Sequence, residues 1–134
     1  FAKGLQIVSD DLPSVLEWSD FALTVSGTVS LHVMRHATPM VGMYKVNLLS
    51  MLAAKIVLNT PFRLLPNLIA GKEIVPEFIP CCHATSQIAQ RVVQLLQDEM
   101  AMRNMSAQLQ EEAAMYNAHN PSLEAADIIL SFAS

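Results

Sequence analysis

Leu65-Pro66-Asn67-Leu68-Ile69-Ala70-Gly71-Lys72-Glu73-Ile74-Val75-Pro76-Glu77 is the most informative run in the chain. It lies within residues 60–80, where prolines at 61, 66, 76 and 80 predict a loop with short helical turns. Pro66 and Gly71 restrict the backbone on either side of Asn67. Upstream stands a second patterned stretch, Val25-Ser26-Gly27-Thr28-Val29-Ser30-Leu31. Residues 21–25 read as a buried strand, Gly27 breaks it, and residues 28–36 read as a helix. Residues 39–44 are a further strand candidate, and residues 48–58 form an apolar helix. Strands that alternate with helices in this way indicate a parallel α/β sheet.

The pattern extends to both ends. Residues 5–8 are a short apolar run with strand character. Asp10 or Asp11 can cap a short helix with Pro13 in its first turn and Val15, Leu16 and Trp18 on its apolar face. Beyond residue 80 the chain reads as helical to its end. Thr85 or Ser86 can start a helix with Ile88, Val92, Leu95 and Leu96 on one side. Met102, Met105, Leu109, Ala113 and Tyr116 recur at spacings of three and four, which predicts a second amphipathic helix. Asn120-Pro121 is a start signal for a third, ending near Phe132.

A length of 134 residues fits one domain, 1–134, with a core that needs no disulfide. The apolar fraction of 52% is high for so short a chain and predicts apolar surface that seeks a partner. Net charge is −4 and the eight Lys and Arg are scattered, so there is no basic stripe for nucleic acid. No run approaches the roughly 18–20 apolar residues of a membrane span. The adjacent Cys81 and Cys82, with no other cysteine, fit a reduced, cytoplasmic protein. A start at Phe1 rather than Met suggests a fragment or a processed product.

Together the two patterned stretches resemble the C-terminal half of lipid-A-disaccharide synthase, a family of inverting glycosyltransferases of the GT-B type. The usual strings there are close to S-G-T-x-x-L-E, then Y-R, then L-P-N-x-x-A-G-R-x-x-V-P-E. The likeness is gap-free from about Leu23 to Glu77 and weaker beyond. It implies the C-terminal, Rossmann-like GT-B domain: a parallel sheet with flanking helices and a helical C-terminal tail. It also implies that the N-terminal domain, with the acceptor site and catalytic base, lies outside this chain, and that no metal or other cofactor is needed. The implied reaction moves 2,3-diacylglucosamine from its UDP derivative to 2,3-diacylglucosamine 1-phosphate. The implied setting is cytoplasmic, at the inner face of a bacterial inner membrane, with a possible homodimer. The 48–58 helix, flanked by Lys45 and Lys55, is a candidate contact for the acyl chains.

The resemblance assigns a nucleotide-sugar site to Ser26, Gly27, Thr28, His32, Asn67, Lys72 and Glu73. Ser26-Gly27-Thr28 sits at the carboxyl end of a strand, where open α/β sheets bind ligands, and its free N–H groups suit a diphosphate. The plainer reading is an ordinary strand-to-helix turn. His32 stands where the family pattern has a Glu that accepts hydrogen bonds from both ribose hydroxyls; a neutral imidazole offers one acceptor nitrogen. Asn67 matches an essential Asn that faces the interdomain cleft; the plainer reading is a local turn hydrogen bond. Lys72 and Lys45 replace Arg, keeping charge but losing the bidentate fork. Ala37 replaces Gly before Thr38-Pro39. Glu77 completes the string as a cap or a solvated carboxylate. His32 and His36 lie four apart, yet Val33 stands where a zinc-protease motif needs Glu, and Cys81-Cys82-His83 is too compact for a tetrahedral site, so no metal site is expected. Asp98, Glu99, Glu111 and Glu112 read as a solvated face. These departures keep open a non-catalytic alternative, a remnant or interaction module with the same fold.

Overall fold

The computed structural model describes residues 4, 6–25, 27–44, 61–78, 85–117 and 121–132. The described elements follow as α1 (Leu12–Glu17), β1 (Ala22–Val25), α2 (Val29–Arg35), β2 (Met40–Met43), α3 (Leu65–Ala70), β3 (Glu77–Phe78), α4 (Thr85–Gln97), α5 (Glu99–Asn117) and α6 (Pro121–Phe132). The strands form one parallel sheet in the order β1-β2-β3, as strand-helix alternation predicts. The expected helix over 48–58, with Lys45 and Lys55, lies outside the described residues, as do Ser26, Cys81, Cys82 and His83.

Register fixes what each face carries. Leu23 pairs with Val41 and Val25 with Met43, while Thr24 pairs with Gly42 and Gly42 with Glu77. Side chains alternate across a strand, so Leu23, Val25, Val41, Met43 and Phe78 share one face. On that face Leu23 and Met43 line an apolar cleft of about 550 Å³ with Ile88 and Val92 of α4. The opposite face meets Leu64, at the entrance to α3. A Cβ on Gly42 would stand 2.7 Å from Leu64 Cδ2, so only glycine lets the fully buried Leu64 lie flat on β2.

The core is built where these layers meet. Val33 and Met34 of α2, Met40 and Val41 of β2, and Leu64, Ile74 and Val75 of the central run are all buried. Helix α5 adds Met105, Leu109 and Ala113, the spacing that predicts its apolar stripe, and packs on α2, α3 and α4. The Met40 amide approaches Met105 Sδ at 3.3 Å, joining the start of β2 to α5. Asp98 caps α5 by accepting from the Ala101 amide at 2.9 Å.

Four expectations are corrected. Residues 6–9 form no strand among the described residues; β1 is the first. Trp18 is 69% exposed, so the buried side of α1 rests on Leu16 instead. Glu112 is only 7% exposed because it falls beside Ala113 on the packed side of α5, whereas Asp98, Glu99 and Glu111 are exposed. The proline-rich 60–80 segment holds the short helix α3, in keeping with helical turns, but also a strand, β3, which was not expected. Pro66 sits in the first turn of α3, where a missing N–H costs nothing, and Gly71 at φ 64° ends it.

The end of α2 explains another departure from the family string. The Ala37 amide donates to Met34 O (2.9 Å) and the Thr38 amide to Val33 O (3.3 Å). This 5→2 and 6→1 pair is a Schellman motif, whose C′ residue must be left-handed. Ala37 holds that place at φ 52°. A left-handed L-residue costs roughly 1–2 kcal/mol, part of which glycine gives back as chain entropy. Ala37→Gly is therefore expected to stabilise the protein by about 1 kcal/mol, read as a higher urea midpoint at unchanged m-value.

Candidate functional site

The turn after β1 is shaped by two residues. Gly27 has φ 146°, a conformation that L side chains rarely adopt, and a Cβ there would meet nothing within 4 Å. Glycine is needed for the backbone path, and open space faces the turn. Ser30, fully buried, holds the path in place: its amide (3.1 Å) and its hydroxyl (2.6 Å) both donate to Gly27 O. The sequence gives Ser30 no special mark beyond its place three residues after the glycine.

Thr28 opens α2 with an exposed side chain that makes no capping hydrogen bond. His32 follows one turn later, also exposed. Thr28, Leu31, His32 and Arg35 line a surface cleft of about 220 Å³ with Tyr116 from the end of α5. The Arg35 guanidinium carbon lies 5.8 Å from the Tyr116 ring centroid, a cation–π contact across the cleft. Arg35 and Tyr116 are the site residues that sequence reading misses. Arg35 could be found by helical spacing, since it stands three residues beyond His32 and seven beyond Thr28. The contact with Tyr116 joins elements far apart in sequence.

Asn67 is placed differently from the expectation of a side chain facing a cleft. It is fully buried. Its Oδ1 accepts from the Ile74 and Val75 amides, both at 2.9 Å. Its Nδ2 donates to Val75 O at 2.7 Å and to Glu77 Oε2 at 3.2 Å. An amide side chain has two acceptor positions and two donors, and all four are used inside the chain. The plainer reading, a local hydrogen-bonding asparagine, describes this arrangement.

Glu77 acts from the far end of the same run. Its Oε2 accepts from the Leu64 amide at 2.9 Å and its Oε1 from the Arg63 amide at 3.0 Å. These N–H groups lead into α3, where a helix leaves donors without backbone partners. Glu77 is thus a cap supplied from thirteen residues downstream of Leu64. Lys72 and Glu73 project into solvent from the turn after Gly71. Glu73 lines a different cleft, of about 310 Å³, with Arg91, Asn104 and Gln108. The structure therefore brings Thr28 and His32 together beside Gly27, while Asn67 and Glu77 form an internal clasp and Lys72 and Glu73 lie on its exposed turn. Among the described residues no group of His, Cys, Asp and Glu is arranged to hold a metal ion, and no helix is long and apolar enough to cross a membrane.

The family model for lipid-A-disaccharide synthetase matches residues 5–130. The chain belongs to the lipid-A-disaccharide synthase family. It is 34% identical to the lipid-A-disaccharide synthase of Solibacter usitatus over 113 residues, 82% of this chain and 30% of that protein. The Rickettsia prowazekii synthase is 34% identical over 114 residues, with 83% and 30% covered. The Idiomarina loihiensis synthase is 36% identical over 123 residues, with 88% and 30% covered. The chain thus spans about 30% of the length of these synthase relatives.

In this synthase-family chain the Asn67 clasp makes a clear claim about stability. Asn67→Ala would strand the Ile74 and Val75 amides and the Val75 carbonyl in a dry interior, each worth roughly 1–3 kcal/mol when unpaired. The expected loss is about 3 kcal/mol or more, measured by thermal or urea unfolding. A variant as stable as the parent would mean that Asn67 serves a ligand instead of the fold.

Proposed function

We propose that this chain is the nucleotide-sugar-binding domain of a lipid A disaccharide-forming glycosyltransferase. The complete protein would transfer 2,3-diacylglucosamine from its UDP derivative to 2,3-diacylglucosamine 1-phosphate. The observation that carries the reading is the family match across residues 5–130, with the Gly27 turn at the carboxyl end of a parallel strand. In the transfer, an acceptor hydroxyl oxygen attacks the anomeric carbon as the bond to the diphosphate breaks. UDP leaves with the electron pair, and the acceptor proton passes to a base. Amide groups of the Ser26-Gly27-Thr28 turn stabilise the charge that develops on the diphosphate. His32 lies beside the ribose, and the Asn67 clasp holds the turn that presents Lys72 and Glu73. The base and the acceptor site belong to the part of the enzyme that relatives carry beyond this chain. The isolated 134 residues are accordingly expected to form no disaccharide from the two substrates, as read by mass spectrometry of the products. The proposed setting is the cytoplasmic face of a bacterial inner membrane, through a peripheral contact, and the proposed assembly is a homodimer.

His32 weakens the donor site. Replacing a carboxylate acceptor by imidazole removes a charge-assisted hydrogen bond worth roughly 1.5–3 kcal/mol. His32→Glu is therefore expected to tighten UDP binding about 10- to 100-fold in calorimetric titration. Equal affinities would overturn this reading of position 32. A second reading, a non-catalytic remnant or interaction module, is favoured by the cleft beside His32, in which no carboxylate stands among the described residues. A protein that binds no UDP in either form would support that reading over the enzymatic one.

A further inference from the structure

We propose that the groove beside α1 docks a basic, apolar-anchored segment of a partner protein. The inference goes beyond the nucleotide-sugar reading and uses none of its residues. The stretch that leads into α1 and the helix itself border a cleft of about 510 Å³. Val8, Leu12, Val15 and Trp18 line it with apolar surface, and Asp10 and Asp11 stand among them. Within α1 only Leu16 is buried. Ile7, Val8, Leu12 and Trp18 are all exposed, Trp18 to 69%. Single exposed apolar residues are ordinary on a protein surface, but four within so short a stretch, beside a cleft, mark an interaction site.

Charge indicates what covers it. Residues 6–20 carry Asp10, Asp11, Glu17 and Asp20 and no Lys, Arg or His. Their four negative charges equal the net charge of −4 of the whole chain, so acidic and basic residues balance elsewhere. All four carboxylates are on exposed residues. Asp11 is the N-cap of α1 yet makes no side-chain capping bond, and among the described residues none of the four forms a salt bridge. An apolar groove rimmed in this way fits two occupants badly. An anionic membrane surface attracts Lys and Arg and repels carboxylates. A second copy of the same face would set like charges against each other. A segment that carries Arg or Lys next to aliphatic side chains fits on both counts. Its cations pair with Asp10 and Asp11 or lie over the Trp18 indole, and its aliphatic groups fill the cleft. Tryptophan is also among the residue types that most often anchor protein interfaces.

Trp18 is the chain's single tryptophan, so its emission reports occupancy of the groove directly. The probes are three synthetic peptides: leucine and arginine at helical spacing, the same with glutamate for arginine, and the same with serine for leucine. The leucine–arginine peptide is expected to shift Trp18 emission to shorter wavelength in a saturable way, with an affinity that falls as salt rises. The other two should bind at least roughly tenfold more weakly, because each keeps only one half of the match. Asp10→Asn combined with Asp11→Asn should weaken the leucine–arginine peptide about tenfold, and Trp18→Ala, followed by calorimetry, about tenfold or more. These residues are exposed, so an unchanged urea midpoint shows that the variants remain folded. No shift with the leucine–arginine peptide, equal binding of the glutamate peptide, or indifference to the paired Asp substitutions would overturn the inference. A shift produced instead by vesicles of phosphatidylglycerol would assign the groove to a membrane, and one produced by raising the protein concentration alone would assign it to a second copy; either overturns it.

Discussion

The four hydrogen bonds of Asn67 are the constraint on which the described architecture depends. They tie the first turns of α3 to the backbone at Ile74 and Val75, just before β3. Glu77 closes the same loop from the strand side by capping the amides that lead into α3. Neither residue can be replaced by an apolar one without leaving buried backbone groups unpaired. A strand of two residues has little pairing energy of its own, so β3 stays beside β2 because the clasp delivers it there. Gly42 completes the fit, since it lets Leu64 rest on β2 where any side chain would push it away.

The first crossover shows how little local sequence such a unit needs. Gly27 turns the chain at the end of β1, Ser30 fastens the turn, and a Schellman motif at Ala37 and Thr38 stops α2. Helix α2 is short and lacks a side-chain cap, so its stability comes from burial of Val33 and Met34 against the sheet and α5 rather than from its ends. The same geometry leaves Thr28, His32 and Arg35 facing outward. The packed side of α2 therefore fixes which side faces solvent.

Much of this was legible in the sequence because the signals were local. Gly27 marked the first turn, and spacings of three and four in α5 identified Met105, Leu109 and Ala113. The parallel sheet followed from alternation of apolar runs with helical ones. What escaped was non-local or disguised by composition. Four prolines read as a loop with short helical turns, of which Pro66 opens one as α3, but β3 is too short to show a period of two. Asn67 stands out in its run, but no local pattern says that its partners are Ile74, Val75 and Glu77. Glu112 looked like part of an acidic surface because its neighbour Glu111 is one. A single residue's step around α5 buries one and exposes the other. Trp18 shows the opposite error: a large apolar residue beside a short amphipathic helix stayed in solvent.

The family string divides along a physical line. Pro66, Asn67, Gly71 and Glu77 match it, and they are the buried, left-handed or capping positions. His32 and Lys72 depart from it, and both are exposed. Ala37 departs at a backbone position and is held in the left-handed region that glycine would occupy without strain. An exposed substitution changes what a surface can bind with little effect on packing, whereas a change at Asn67 would dismantle the clasp before any ligand arrived. The match in the clasp therefore speaks for the fold, and the chemistry has to be read from the α2 cleft. There the His32 imidazole stands where the family pattern has a carboxylate, one turn after the Thr28 that matches the pattern. That exchange leaves one acceptor nitrogen in place of a carboxylate that can accept from two donors, while the scaffold beneath it keeps the family's form.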